Sequence, residues 1–171
     1  MVFGNKKIDI NIKVELKIDK VTLERVYDNM FLGVIIDQNF SWKPHINHVR
    51  TKIARSIGIL YKAKDILNYN SLYMLYNTLI LPYLTYCIEV WGNTYQSNLK
   101  PLVTIQKRAI RISHKVGYHD HTNTLFLSSK TMKFLDLVQF SSTAQIIYKA
   151  RNKLLPGNIL KYFSDRGEDM N

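Results

Sequence analysis

The side chains most able to do chemistry are five cations just past the middle of the chain. They are Lys100, Lys107, Arg108, Arg111 and Lys115. At about 100° per residue, a helix over this segment places all five within roughly half a turn of one side. Ammonium and guanidinium groups gathered on one face bind phosphate oxygens through charge-assisted hydrogen bonds. The segment therefore predicts a surface that contacts a nucleic-acid backbone.

The longer segment from Lys43 to Lys115 is strongly basic. It holds eleven Lys or Arg residues against two acids, Asp65 and Glu89, and so carries +9 of the formal net charge of +11. Charge this one-sided favours a phosphate-facing surface, with solubility alone as the alternative. The segment also contains a second, weaker group of candidate phosphate contacts: Lys52, Arg55 and Lys62.

Two clusters of histidine resemble metal ligands. His45 and His48 are three residues apart, but no third ligand stands near them, so we interpret them as packing or surface residues. The run over 119–122 reads His-Asp-His-Thr. Asp and Thr ahead of a short helix serve more often as caps than as ligands. No metal site is predicted.

The sequence offers no catalytic group. It contains no glycine-rich phosphate loop, no Gly-x-Ser-x-Gly elbow and no His-Glu-x-x-His motif. Its acids are scattered over strand edges, turns and the polar tail, whereas two-metal phosphoryl transfer needs clustered carboxylates. Cys87 is the only cysteine, so a reducing compartment is expected and the predicted location is intracellular, cytoplasmic or nuclear.

The amino-terminal part must supply a sheet. Apolar and polar residues alternate over 8–18, which is the period of a half-buried strand. Residues 19–20 suit a turn, and the alternation continues over 21–23 and again over 31–36. Gly33 lets a side chain, backbone or ligand approach closely, since it has no Cβ. These segments predict a three-stranded antiparallel meander.

Beyond position 41, apolar residues recur at helical spacing almost to the end of the chain. Pro82 must kink or interrupt the second helix, because its ring removes a hydrogen bond and crowds the preceding turn. Gly92 is expected to end that helix as a left-handed cap. The expected inward positions are Ile46, Val49, Ile53, Ile57, Leu60 and Leu67 in the first helix, Leu102, Ile105, Ala109 and Ile112 in the third, and Leu137, Phe140, Ala144, Ile147 and Tyr148 in the last.

The predicted fold class is α+β, with an N-terminal meander and a mainly helical bundle. The predicted divisions are a small sheet over 1–40, the bundle over 41–163 and a polar tail over 164–171. The stretch 71–88 lacks charge and is long enough to be checked as a membrane span. Polar residues, Pro82 and four internal tyrosines favour a buried helix instead, so no membrane association is predicted.

Several spaced motifs in order resemble one family of polymerases. They read Phe31-Leu32-Gly33-Val34-Ile35-Ile36-Asp37, Ser41-Trp42-Lys43-Pro44-His45-Ile46, Leu81-Pro82-Tyr83-Leu84-Thr85-Tyr86-Cys87, Val90-Trp91-Gly92-Asn93, Ile105-Gln106-Lys107-Arg108-Ala109-Ile110-Arg111 and Asp120-His121-Thr122. Together they resemble the C-terminal half of reverse transcriptases from non-LTR retrotransposons, the LINE-like elements of the jockey kind. The similarity covers nearly the whole chain.

The resemblance implies a division of labour. Phe31, Leu32 and Gly33 match the primer-grip segment between palm and thumb, and the following helices match the thumb and the region beyond it. The expected partner is an RNA/DNA template–primer duplex, with a palm-containing polymerase part as a second partner and no small-molecule substrate. The family's catalytic aspartates and Mg²⁺ belong to the palm, so we expect a fragment that needs no cofactor and is inactive alone.

Three hypotheses follow. The first is a non-catalytic fragment that binds nucleic acid without sequence preference. The second is a chain that joins in RNA-directed DNA synthesis by complementing a separately made palm. The third is a helical protein-interaction module, or a transposon relic without function. A large apolar patch with dispersed charge would favour the third hypothesis.

Overall fold

The computed structural model describes residues 1, 3 and 17–164. Within them, short strands come first and helices follow. The strands are β1 (Lys17–Ile18), β2 (Val21–Thr22), β3 (Asp28–Phe31) and β4 (Val34–Asp37). The helices are α1 (Lys43–Ala63), α2 (Tyr69–Leu79), α3 (Leu81–Thr85), α4 (Ile88–Trp91), α5 (Gln96–Ser113), α6 (Asn123–Ser128), α7 (Phe134–Arg151) and α8 (Gly157–Ser164). The α+β class is therefore confirmed.

The strands form two separate antiparallel hairpins, β1–β2 and β3–β4. In the described part of the chain this replaces the predicted three-stranded meander, and positions 8–16 of the first predicted strand lie outside that part. Asp19 and Lys20 join β1 to β2 with φ values of 49° and 70°. Positive φ at both central residues is what a type I′ turn requires, so the predicted turn is confirmed.

The prediction of one strand over 31–36 was wrong, because the chain reverses at Leu32 and Gly33. Their φ values are 47° and 78°, and Phe31 pairs with Val34 across the turn. The Tyr86 hydroxyl donates a 2.7 Å hydrogen bond to the Leu32 carbonyl. A Cβ on Gly33 would lie 3.4 Å from Tyr86 Cε1. The expected close approach to Gly33 is therefore made by a tyrosine ring.

Asp37 organises the passage from β4 into α1. Its side chain is only 6% exposed, and its two oxygens accept backbone hydrogen bonds from Asn39 and Ser41 at 3.1 Å and from Trp42 at 2.8 Å. Burial raises the pKa of this carboxyl, but the backbone donors outweigh burial and the net pKa is lowered. Because Trp42 precedes the helix with φ 61°, this capping holds a backbone conformation that costs energy.

The core of the bundle lies where α1 packs against α2, α3 and α5. The predicted apolar stripe of α1 is confirmed from Ile46 to Leu60, whereas Leu67 lies beyond the end of the helix and is half-buried. Helix α5 turns its own apolar side toward the same core. The large side chains without solvent exposure are Ile53, Leu60, Leu72, Tyr76, Ile80, Leu84, Trp91, Leu102, Ile110 and Phe134.

The central helix is interrupted at Pro82, as predicted, so that α2, α3 and α4 replace one long element. The predicted left-handed cap at Gly92 is wrong, since its φ is −70°. Gly92 is needed for space, because a Cβ there would collide with the Ile88 carbonyl oxygen and lie 3.2 Å from Val138 Cγ1. Among the described residues, no helix has the length and apolarity needed to cross a membrane.

Helix α7 is only partly anchored, contrary to prediction. Phe134 and Val138 are buried, and Ser141 donates a hydrogen bond to the Glu89 carboxylate. Four of the five predicted inward positions are exposed, and Leu137 is half-buried. The exposed positions are Phe140, Ala144, Ile147 and Tyr148. Helices α4 and α5 pack against α7, but the residues of α7 that are buried, Phe134 and Val138, lie in its first two turns. The prediction failed because the apolar residues of the later turns lie beyond this buried part.

Candidate nucleic-acid interface

A groove runs between α1 and α5, which pack side by side along their lengths. On α5, Leu102 and Ala109 are buried and Ile105 and Ile112 are half-buried, which confirms the predicted inward side. Gln106 is also buried on that side. With this side buried, the opposite side of α5 faces solvent. The cations on it lie next to the edge of α1.

Three adjoining hollows make up this groove. The upper hollow, about 200 Å³, begins at Lys43. It shares Arg50, among other residues, with a middle hollow of about 550 Å³. The middle hollow shares Arg108, Arg111 and Tyr118 with a lower hollow of about 350 Å³. Because neighbouring hollows share lining residues, they lie next to one another along the two helices, and we call the three together the α1–α5 groove.

The α1–α5 groove is strongly positive. One carboxylate, Asp65, lines it. Its seven cations are Lys43, Arg50, Lys64, Lys100, Arg108, Arg111 and Lys115. A channel lined by charges of one sign raises the local concentration of anions and binds a polyanion along its length. The groove can therefore hold a phosphate backbone.

The structure separates the predicted phosphate contacts into two groups. Lys100, Arg108, Arg111 and Lys115 line the α1–α5 groove. Lys107 shares the basic side of α5 by helical spacing, but it lines none of the three hollows. The weaker candidates on α1 also lie outside these hollows: Lys52, Arg55 and Lys62.

Sequence reasoning missed three groove cations, Lys43, Arg50 and Lys64. Helical spacing places them on one flank of α1, beside the apolar stripe. The sequence contains this spacing, but it does not say which flank of α1 meets α5. Choosing among the cations of α1 therefore requires the packing of the two helices.

Arg111 is held in place by the loop that follows α5. Its Nε donates a 2.9 Å hydrogen bond to the Asp120 carbonyl, and its guanidinium lies over the Tyr118 ring. The Asp120 carboxylate accepts a 2.6 Å hydrogen bond from the Gly117 backbone within this loop. The predicted capping of the next helix was wrong, since α6 begins after Thr122 without a side-chain cap. The hydrogen bond of Arg111 uses Nε and leaves its terminal amino groups to bind phosphate.

His45 serves packing, which is one of its two predicted roles. Its Nδ1 accepts a 3.2 Å hydrogen bond from the Ile35 backbone, and its ring meets Trp91 edge-on at 5.2 Å. Burial, with a smaller contribution from His48, lowers the pKa of His45 to about 4. His119 and His121 are exposed. Across the described residues, no three His, Cys, Asp or Glu side chains are placed to hold a metal ion.

The primer-grip-like residues lie at the tip of the β3–β4 hairpin. Phe31 and Leu32 are 64% and 72% exposed, so they are not core residues. Tyr86 fastens the turn to the bundle through the Leu32 carbonyl. The side chains at the hairpin tip are thus exposed, while its backbone is held against the bundle by Tyr86. The role of these residues in binding a primer stays a prediction.

Two residues within the family-like motifs hold the bundle together. The Gln106 amide nitrogen donates to the Tyr76 hydroxyl at 3.0 Å and to the Met132 carbonyl at 3.1 Å, and its oxygen accepts from the Phe134 backbone at 2.8 Å. Trp91 is fully buried and donates its indole N–H to the Tyr86 carbonyl. Sequence reasoning missed Gln106, whose only signal was a polar residue on the apolar side of α5.

Comparison with known proteins identifies distant relatives. Over 129 residues, 74% of this chain, it is 20% identical to the probable RNA-directed DNA polymerase from transposon X-element of Drosophila melanogaster. Over 121 residues, 68% of this chain, it is 23% identical to the RNA-directed DNA polymerase from mobile element jockey of Drosophila funebris. The chain is similar to RNA-directed DNA polymerases of transposons.

The similarity to these polymerases covers a small part of them. The matched region spans 14% of the X-element polymerase and 13% of the jockey polymerase. No family model matches the chain, and no solved structure matches it. The relatives therefore support the resemblance to transposon polymerases that the motifs indicated. Evidence for the role of this chain must come from its own structure.

Proposed function

We propose that this chain is the thumb-like, nucleic-acid-binding part of a non-LTR retrotransposon reverse transcriptase, with the β3–β4 hairpin tip as its primer-grip-like element. The α1–α5 groove carries the proposal. Seven cations from α1, α5 and the residues directly after each helix line these adjoining hollows, together with a single carboxylate, Asp65. The similarity to two transposon polymerases supports the same assignment.

The proposed ligand is the template–primer duplex, held by its backbone. Arg50, Lys100 and Arg108 would contact phosphates, because cations bind the backbone irrespective of base sequence. Asn47 lines the upper hollow with its side-chain amide, and Asn98 adds its amide oxygen, since its amide nitrogen already donates to the Ser41 carbonyl and the Thr94 hydroxyl. Such groups suit 2′-hydroxyls and phosphate oxygens of an A-like duplex, which proteins recognise by shape and backbone. Binding without sequence preference follows.

The proposed role is binding rather than chemistry. Asp65 is the one carboxylate in the α1–α5 groove, and a lone carboxylate cannot hold two metal ions a few ångströms apart. We therefore place the catalytic aspartates and Mg²⁺ in a palm-containing polymerase part, which would be the protein partner of this chain. On its own the chain should not extend a primer.

The interaction-module hypothesis would be favoured by a large apolar patch together with dispersed charge. The later turns of α7 expose apolar residues such as Phe140 and Ile147, but the charge is not dispersed. The seven cations instead line one groove. Clustered charge is the electrostatic footprint of nucleic-acid binding, so the groove supports the first hypothesis over the third.

Salt dependence tests the proposal. Fluorescence anisotropy should show that two RNA–DNA duplexes of unrelated sequence bind with the same affinity. The logarithm of the affinity should fall with the logarithm of salt at a slope of roughly −4 to −6, since each neutralised phosphate contributes about −0.9. A flat salt dependence would overturn the binding role. Primer extension by the chain alone with Mg²⁺ would overturn the division of chemistry.

A further inference from the structure

The lower hollow differs from the rest of the α1–α5 groove in being aromatic as well as basic. Tyr61 and Tyr118 both line it, whereas the middle hollow has only Tyr118 and the upper hollow has no aromatic residue. From this contrast we propose that the lower hollow holds one unpaired nucleotide of a strand that continues past the duplex. The inference rests on the proposed function and adds a second kind of ligand to the same groove.

The two tyrosines present their rings to solvent beside cations. Tyr61 is 55% exposed and Tyr118 is 70% exposed. Lys64 Nζ lies 4.2 Å from the ring centroid of Tyr61, and Arg111 Cζ lies 5.8 Å from that of Tyr118. Exposed aromatic rings in a basic channel are the platform on which unpaired bases stack, because every base has a π face.

Charge and size fit a single nucleotide unit. The phosphate of a bound nucleotide would meet several donors, because four cations line the hollow: Lys64, Arg108, Arg111 and Lys115. Asp65 adds one acceptor that can take a hydrogen bond from an amino group of a base. The volume of about 350 Å³ lies at the small end of ligand pockets, which suits one nucleotide and excludes a helix.

A base inside a duplex cannot use this hollow. Inside a duplex the base faces are stacked on one another, so a protein ring reaches them only at the end of the duplex or where the strand is unpaired. The middle and upper hollows, with cations and amide groups, suit the phosphates of the paired region. The lower hollow would therefore mark where the duplex ends and a single strand begins.

The test compares a blunt RNA–DNA duplex with the same duplex carrying a short single-stranded extension. The extended duplex should bind the full chain about five- to tenfold more tightly, as expected for one stacked base. Tyr61 lines only the lower hollow, so Tyr61→Leu should lose most of that preference and keep its affinity for the blunt duplex within about twofold. Tyr148→Leu is the matched control, since Tyr148 is 63% exposed and lines none of these hollows.

Each outcome has one meaning. Loss of most of the preference in Tyr61→Leu, with retention in Tyr148→Leu, supports the proposal. Equal binding of blunt and extended duplexes by the unaltered chain overturns it and leaves the duplex groove standing. Failure to bind either duplex overturns the proposed function itself. An equal loss of blunt-duplex binding in Tyr61→Leu would assign Tyr61 to the duplex and overturn the single-strand role.

A free nucleotide shares the chemistry of an unpaired one, so adenosine monophosphate is added as a competitor. Competition that removes only the preference for the extended duplex supports the proposal, since the same hollow then accepts base and phosphate together. Binding of adenosine monophosphate without any preference for the extended duplex would assign the hollow to free nucleotides and overturn the strand proposal.

Discussion

The guanidinium of Arg111 lies over the ring of Tyr118, with 5.8 Å between Cζ and the ring centroid. The same side chain donates a 2.9 Å hydrogen bond from Nε to the Asp120 carbonyl. Together these contacts tie α5 to the loop that follows it, at the boundary between the middle and lower hollows. A cation held in this way loses less conformational entropy on binding a phosphate than a free surface arginine does.

Replacing Arg111 tests this pre-organisation. Arg111→Ala should weaken duplex binding roughly tenfold near physiological salt and reduce the salt slope by about 1, because one phosphate contact is lost. Arg111→Lys should fall between the alanine variant and the unaltered chain, since lysine keeps the charge but lacks the planar group that meets both Tyr118 and Asp120. Anisotropy titrations measure both changes. Full affinity in Arg111→Lys would show that charge alone matters.

Gln106 should be essential to stability rather than to binding. Gln106→Leu leaves the Phe134 N–H, the Met132 carbonyl and the Tyr76 hydroxyl without this partner, so we expect a loss of about 3 kcal/mol in the free energy of unfolding. Denaturant unfolding measures the loss. Gln139→Leu on the exposed side of α7 is the control and should change stability by less than about 0.5 kcal/mol. Equal effects would contradict this role.

Acid should destabilise the fold through His45. Its folded-state pKa of about 4 lies below its ordinary value of 6.5, so the unfolded chain binds the proton more readily between these pH values. Stability is therefore fully present above about pH 6.5 and is lost as pH falls toward 4, by roughly 3 kcal/mol in total. Across this pH range, the free energy of unfolding should change less with pH in His45→Gln than in the unaltered chain. Identical pH dependence in both chains would contradict the assignment.

Two glycines should respond to alanine in opposite directions. Gly92→Ala places a Cβ against the Ile88 carbonyl, and we expect a loss of about 1–3 kcal/mol in stability. Gly58 lies inside α1 with nothing within 4 Å of a Cβ, so Gly58→Ala should gain about 0.5–1 kcal/mol from helix propensity. Thermal unfolding separates the two. Stabilisation by Gly92→Ala would show that the backbone there has room to shift.

The elements that could be predicted are those set by local pattern. The stripe through Ile53 and Ile57 determines the buried side of α1, and the interruption at Pro82 follows from a missing amide proton. The turn at Leu32–Gly33 could not be predicted in the same way. Leucine disfavours positive φ, and the contact that fastens this turn comes from Tyr86, far along the chain.

The groove could be only half predicted. Arg108 and Arg111 stand out because α5 carries its cations on one side, opposite its apolar residues. Arg50 does not stand out among the cations of α1, since its importance depends on which flank meets α5. The prediction that Phe140 and Tyr148 face inward was wrong. Their apolar spacing was visible, but no pattern shows where the covering helices end.

The most direct measurement compares two triple variants that remove the same charge. Arg50→Ala/Lys100→Ala/Arg108→Ala strips the α1–α5 groove, and Lys52→Ala/Arg55→Ala/Lys62→Ala removes three cations outside it. Both are titrated against one RNA–DNA duplex at several salt concentrations. The groove variant should lower the magnitude of the salt slope by roughly 3 and the control by less than about 1. Equal losses would contradict a binding groove and reduce the attraction to net charge alone.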